Sequence, residues 1–215
     1  MPISIAILVS GRGSNMKAIL EAIEQGRLDA SVSMVISNNP QALALDIARE
    51  HGVKTVCVPS KGVTREQHEQ AVMAQLESVQ VDFLVLAGYM RVLTAGFLRN
   101  FRHPDGYFRV INIHPSLLPA FPGANGYEDA FNYGVRVSGV TVHLVDEQVD
   151  HGPILAQEAF SRLDGDTLDT FKARGLAVEH RLYPAVLQNI AQHGLRLLNR
   201  DEPQTVESAS GRIQT

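Results

Sequence analysis

Short, continuously apolar runs alternate along the chain with segments whose apolar residues recur at helical spacing. "SIAILVS" (4–10) is the first such run, and glycines follow it directly. A run of that kind, apolar without alternation, suits a strand buried on both faces. In "MKAILEAIEQG" the residues Met16, Ile19, Leu20 and Ile23 then form one helical stripe, which Gly26 closes. The alternation continues with "SVSMVIS" as a second strand, "QALALDIAREHG" as a second helix ending at a glycine, and "KTVCV" as a third strand. Thr64 opens a third helix, "TREQHEQAVMAQLESV", and Gln67 is placed to complete a capping box with it. "DFLVLAG" and "YFRVINI" read as the fourth and fifth strands. Strands and helices in this order predict a parallel sheet with helices on both sides.

Beyond Leu117 the pattern changes. "LPAFPGANG" reads as a loop and "YEDAFNYG" as a short helix. "GVTVHLV" and "PILAQEAF" are β-like runs separated by "DEQVDHG", which predicts an antiparallel addition to the sheet. "DTLDTFKARGLAVEHRLYPAVLQNIAQHG" is a long helical region, expected to be interrupted near Gly175 and bent or restarted at Pro184. From Arg200 the chain is polar and aperiodic, so one domain is expected over 1–199 and a disordered tail over 200–215. The expected class is α/β: a Rossmann-like, mostly parallel sheet flanked by helices, with an antiparallel C-terminal addition.

With 215 residues, 45% of them hydrophobic and 20% charged, the chain has the material for one substantial core. Its 23 acidic residues outnumber 19 basic ones, for a net charge of −4. That balance argues against a nucleic-acid or anionic-membrane partner and leaves small molecules. Cys57 is the only cysteine, so no disulfide framework or cysteine zinc cluster is expected, and its strand-like setting suggests a buried, inert thiol. "MPISIAILVSGRG" has no basic leader and too short an apolar run for a signal peptide or a membrane span, which predicts a cytoplasmic protein.

Two stretches carry candidate chemistry. "SGRGSNM" (10–16) lies at the carboxyl end of the first strand and opens the first helix. Backbone N–H groups there are unpaired, and the helix dipole favours an anion. Gly11 and Gly13 let the backbone approach a ligand, while Ser14 and Asn15 are short donors that either reach phosphate oxygens or cap the helix. A dinucleotide fingerprint would need a glycine where Met16 stands and an acid where Ser37-Asn38-Asn39 ends the second strand. No Lys-Ser or Lys-Thr follows the glycines, so a nucleoside-triphosphate loop is excluded as well. A single phosphate group remains.

The second stretch is "NIHPSLLP" (112–119). Asn112 and His114 share a face if both are in a strand. Asp150, in the loop between the last two strands, is able to fold over the same sheet edge. An amide can hold a developing oxyanion, an imidazole can pass a proton or hold that oxyanion as a cation, and a carboxylate beside the ring favours its protonated form. This is acyl-transfer chemistry without a covalent nucleophile. Ser116 lacks the Gly-x-Ser-x-Gly elbow. His114, His143 and His151 lack the spacing of a helical metal motif, so no metal is expected. His143 reads as a strand residue with a structural bond, His151 as a solvated neighbour of Asp150, and most of the eight histidines as helix-surface residues. In "LAGYMRVL" (86–93), Tyr89, Met90, Val92 and Leu93 either line a flat apolar slot for a heteroaromatic ring or pack the core.

Taken in order, "SGRGSNM", "LAGYMRVL" and "NIHPSLLP" followed by "GVTVHLVDEQVDHGPIL" resemble the phosphoribosylglycinamide formyltransferases of purine biosynthesis, from Ile5 to about Leu187. The resemblance implies formyl transfer from 10-formyltetrahydrofolate, as cosubstrate and with no metal, to the amine of 5-phosphoribosylglycinamide. It implies Asn112, His114 and Asp150 as the catalytic trio, with Asp150 raising the histidine's pKa. Gly13, Ser14 and Asn15 match the phosphate binder, and Glu179 the acid that holds the ribose hydroxyls. Met90, Arg91, Val92 and Leu93, with Asn112, match the formylfolate pocket, closed by Asp146, Glu147, Gln148, Val149 and Asp150. Arg65 resembles a folate-contacting arginine, or is a solvated charge at a helix start. The family often has a histidine or two after "FPG", where this chain reads "ANGYEDAF". Among other enzymes with this trio, a formyltetrahydrofolate hydrolase is expected to carry a regulatory domain before the first strand, and a methionyl-tRNA formyltransferase a nucleic-acid module after the last helix. A non-catalytic nucleotide-binding module would account for the glycine loop but not for the trio. A monomer or homodimer is expected.

Overall fold

The computed structural model describes residues 2–195, and the tail expected over 200–215 lies outside the described residues. Seven strands, β1 (Ile3–Val9), β2 (Ala30–Ser37), β3 (Thr55–Cys57), β4 (Phe83–Leu86), β5 (Val110–His114), β6 (Val137–Leu144) and β7 (Ile154–Ser161), form one sheet. Their spatial order is β3-β2-β1-β4-β5-β6-β7. β1 to β5 are mutually parallel, whereas β6 runs antiparallel to β5 and β7 antiparallel to β6. The antiparallel addition read from the sequence is therefore present.

The apolar runs are continuous because both faces of the sheet are covered. Ile5, Ile7 and Val9 pack on one side with Met16, Ile19 and Leu20 of α1 (Ser14–Glu24), Ala44 and Ala48 of α2 (Leu43–Glu50), and Phe171, Val178 and Tyr183 of α6 (Leu168–His193). Ala6 and Leu8 pack on the other side with Val72 and Leu76 of α3 (Arg65–Leu76) and Phe97 of α4 (Ala95–Leu98). Thr64 and Gln67 form the capping box at the start of α3: the Gln67 N–H donates to Thr64 Oγ1 at 3.2 Å and the Thr64 N–H to Gln67 Oε1 at 3.0 Å. α5 (Gly126–Tyr133) is the short helix expected from "YEDAFNYG".

Three expectations are corrected. α6 runs without interruption from Leu168 to His193 with Pro184 inside it. A proline there costs about 3 kcal/mol in an exposed helix, but α6 buries Phe171, Val178, Tyr183, Leu187 and Ile190 along its length, and that burial offsets the lost bond. Cys57 is exposed, because β3 is a three-residue edge strand and the residue ends it. The histidines are not mainly helix-surface residues: of the eight only His68, His180 and His193 lie within helices, and His68, like His114 and His143 on the strands, is buried.

The strand order sets where a ligand fits. From β1 the chain steps outward to β2 and β3, then returns to β4 on the other side of β1. Connections leaving β1 and β4 diverge, and a crevice opens at the carboxyl ends of those strands. The glycine loop after β1, the Gly88–Leu93 segment after β4 and the turn after β5 all meet at that rim. Ser10 binds two of them together: its Oγ accepts from the Met90 N–H at 2.8 Å and donates to Asn38 Oδ1 at 2.6 Å.

Candidate active site

Asn112 and His114 stand on one face of β5, two residues apart, as strand geometry requires. The buried imidazole of His114 lies between two acceptors. Nδ1 is 3.3 Å from Asp150 Oδ2, and Nε2 donates to the Phe121 carbonyl at 2.8 Å. Asp150 is reached from the β6–β7 loop and has a left-handed φ of 53°, a conformation that aspartate tolerates better than most residues. Its Oδ2 also accepts from the Gly123 N–H at 2.7 Å, so the carboxylate fastens the 120s loop to the strand end.

His143 is the strand residue with a structural bond that the sequence suggests, and its link to Asn112 is what the sequence left out. It pairs with Asn112 across β5 and β6. Its Nδ1 donates to the Leu144 carbonyl at 2.8 Å, which leaves Nε2 to accept from Asn112 Nδ2 at 3.2 Å. Burial, the largest influence, pulls the His143 pKa below its ordinary value despite the Leu144 carbonyl and the Asp150 carboxylate. A neutral ring is what the Asn112 amide needs. The strand pairing was the signal that would have found it, and pairing is not visible in one strand's sequence.

The turn after β5 is anchored from the same pair of strands. Thr141, opposite His114, accepts from the Leu118 N–H at 3.0 Å and donates to the Ser116 carbonyl at 2.7 Å. Ser116 is buried with its hydroxyl directed at the Ala120 carbonyl, so it faces no substrate as a nucleophile would. His151, a solvated residue as expected, pairs with Asp146 rather than Asp150, Nδ1 to Oδ2 at 2.8 Å. Among the described residues no group of His, Cys, Asp and Glu is arranged to hold a metal ion.

A cleft of about 450 Å³ joins these groups, a volume suited to a small-molecule ligand. Asn15, Glu179, Asn112, His114, His143 and Asp150 line it. So do Met90, Arg91, Val92 and Leu93, with Asp146, Glu147, Gln148 and Val149. Met90, Val92 and Val149 are exposed apolar side chains on the two loops that border it. Tyr89 also lines it, its phenol pushed up to about 12 by burial.

The remaining sequence candidates are placed less uniformly. Gly13 precedes the first turn of α1 with a φ of 74°, and α1 has no side-chain cap, so its first N–H groups stay unpaired. Of Gly13, Ser14 and Asn15, only Asn15 lines the cleft. Gly13 is required by packing: a Cβ there would lie 2.6 Å from the Cβ of Ala44. Glu179, buried on α6, accepts from Asn15 Nδ2 and from the Tyr127 hydroxyl, each at 2.5 Å. Arg65 is exposed at the start of α3 and is not among the residues lining the cleft.

Residues 3–187 match the family model described as Formyl transferase. The chain belongs to the formyl transferase family. This formyl transferase is 38% identical over 198 residues to the phosphoribosylglycinamide formyltransferase of Bacillus subtilis (strain 168), covering 92% of this chain and 97% of that one. To the enzyme of the same name from Escherichia coli (strain K12) it is 33% identical, covering 90% of each chain. The crystal structure of glycinamide ribonucleotide transformylase 1 from Symbiobacterium toebii superposes with a TM-score of 0.86 at 40% identity, covering 93% of this chain and 92% of that one. The formyl transferase fold, a mostly parallel sheet with an antiparallel C-terminal part, is thus established by sequence and shape together.

Proposed function

We propose that this formyl transferase moves the formyl group of 10-formyltetrahydrofolate to the amine of 5-phosphoribosylglycinamide, giving the N-formyl product and tetrahydrofolate, in the purine biosynthesis of the cytoplasm. One observation carries the reading: Asn112, His114 and Asp150 line a single cleft together with the hydrogen-bonding Asn15 and Glu179 and the apolar Met90, Val92, Leu93 and Val149. The named relatives support the choice of substrates.

In this reading the unpaired N–H groups of the first α1 turn and the Ser14 hydroxyl hold the phosphate, where the helix dipole favours an anion. Glu179 accepts from the sugar. Met90, Val92, Leu93 and Val149 cover the pterin ring, and backbone groups beside them pair its heteroatoms. The substrate amine attacks the formyl carbon near Asn112. Of the two Asn112 amide hydrogens one goes to His143, and the other is available to the oxygen that becomes negative. His114 holds that oxyanion from a second side once its Nε2 N–H turns from the Phe121 carbonyl to the substrate, and a proton moves from the attacking nitrogen to the departing folate nitrogen. Asp150 keeps the imidazole in place and ties it to the loop above.

Incubation with 10-formyltetrahydrofolate, with and without phosphoribosylglycinamide, tests the reading. Loss of the formyl group only when the amine is present, with stoichiometric N-formyl product, is the expected result. Loss at the same rate without the amine would reassign the protein to hydrolysis, and no loss in either case would remove the catalytic reading.

A further inference from the structure

Glu69 is buried on α3, 6% exposed, and is not among the residues that line the cleft. A carboxylate in such a setting is costly unless its oxygens find donors. Both donors come from one residue, Thr94: its N–H donates to Glu69 Oε1 at 2.7 Å and its hydroxyl to Oε2. Capping of α4 does not account for the carboxylate. Thr94 Oγ1 itself accepts from the Phe97 N–H at 3.2 Å, the bond that an N-cap threonine makes unaided. What Glu69 adds is a fixed place for the Thr94 backbone.

Thr94 directly follows the Gly88–Leu93 wall of the cleft. Ser10 holds the start of that wall: its N–H donates to the Gly88 carbonyl at 3.2 Å, and its Oγ accepts from the Met90 N–H at 2.8 Å. Beyond Met90 the N–H groups of Arg91, Val92 and Leu93 donate to nothing among the described residues. The next paired N–H is that of Thr94, on Glu69. α3 meets the wall a second time through His68, whose buried ring stacks on Tyr89 with centroids 6.5 Å apart and whose Nε2 donates to the Val58 carbonyl at 3.0 Å.

We propose that Glu69 is a positioning residue for formylfolate: from outside the cleft it holds Thr94, and so fixes the unpaired backbone of Arg91, Val92 and Leu93 in the arrangement that receives the pterin. This inference rests on the proposed function, which reads the wall as the pterin site.

Glu69→Ala, Glu69→Gln and Leu76→Val test it. Glutamine keeps an oxygen for the Thr94 N–H, and its amide can donate to the Thr94 hydroxyl. Leu76 is buried about two turns further along α3, so trimming it weakens the same helix without releasing Thr94. Glu69→Ala is expected to raise the KM for 10-formyltetrahydrofolate, and the calorimetric Kd for tetrahydrofolate, by about tenfold, with kcat and the phosphoribosylglycinamide KM within about twofold. Glu69→Gln should stay within about threefold of wild type throughout, and Leu76→Val should lower the urea midpoint with no selective change. If Glu69→Ala does not fold, Thr94→Ala, which removes the hydroxyl half of the clamp, should show the same selectivity at about threefold. Without any ligand, backbone order parameters from NMR relaxation over 91–94 should fall in Glu69→Ala from about 0.85 to below about 0.6. Unaltered formylfolate constants in a folded Glu69→Ala, an equal rise for both substrates, or the same selective rise in Leu76→Val would overturn the assignment. A wild type that neither binds tetrahydrofolate nor transfers a formyl group would sink the proposed function. The order parameters would then decide alone: a fall across 91–94 sustains Glu69 as the holder of the wall, and unchanged values overturn it.

Discussion

Asn112 and His143 are cross-strand partners on β5 and β6, and the amide of the first donates to Nε2 of the second at 3.2 Å. The imidazole is itself fixed by its Nδ1 bond to the Leu144 carbonyl. His143 thereby decides which way the Asn112 amide points. His143→Ala is expected to lower kcat by about ten- to a hundredfold with little change in either KM, the scale seen when a supporting partner of a functional group is removed. His143→Gln, whose side-chain oxygen can still accept from Asn112, should recover part of that loss. Steady-state kinetics of the pair, with circular dichroism as the fold control, decides it. Equal activity in wild type and His143→Ala would show that Asn112 needs no such support.

The proposed trio makes a stronger demand. His114→Ala and Asp150→Asn should each cost about 10²–10⁴ in turnover. The aspartate also receives the Gly123 N–H, so Asp150→Asn keeps an acceptor there but loses the charge beside the ring. Near-normal turnover in either folded variant would refute the assignment.

Acid should weaken the fold through His143 and His68. Burial lowers both pKa values from the ordinary 6.5. Below about 6.5 the unfolded chain takes up protons that these two buried rings in the folded protein do not. The unfolded state then binds more protons, so stability falls as pH falls through that window and levels off below the lowered folded-state values. The slope is up to about 1.4 kcal/mol per pH unit for each ring. Urea denaturation at several pH values between about 7 and 5 measures it, and His143→Gln should reduce the slope. A stability that is flat across the window, or that rises on acidification, would contradict the prediction.

Gly13 should resist replacement on packing grounds alone. Its φ is 74° and a Cβ would lie 2.6 Å from the Ala44 Cβ, so Gly13→Ala combines a left-handed backbone with a clash. A loss of about 2–4 kcal/mol is expected, read as a lower urea midpoint. Gly11, where a Cβ would meet nothing within 4 Å, is the control and should lose under about 1 kcal/mol as Gly11→Ala. Equal midpoints for the two variants would remove the distinction.

Much of this molecule is written locally. Strand and helix periods place β1 to β7 and the main helices, because backbone geometry makes a residue's facing depend on its near neighbours. The same rule set Asn112 and His114 on one face, and Thr64 with Gln67 forms its box within a single turn. The residues of "SGRGSNM", "LAGYMRVL" and "NIHPSLLP" were legible as chemistry and as kinship for that reason.

What the chain alone left open concerns partners from distant segments. Asp150 reaches His114, His143 supports Asn112, Asn15 turns to Glu179, and Tyr127 closes on Gly175 only once the sheet order brings them together. Pro184 stays inside α6 because the sheet face beneath supplies burial that outweighs a local penalty. The physical reason is common to all of these: local geometry determines where a polar or apolar group points, but a buried group without water must find whatever atom the tertiary fold places opposite it.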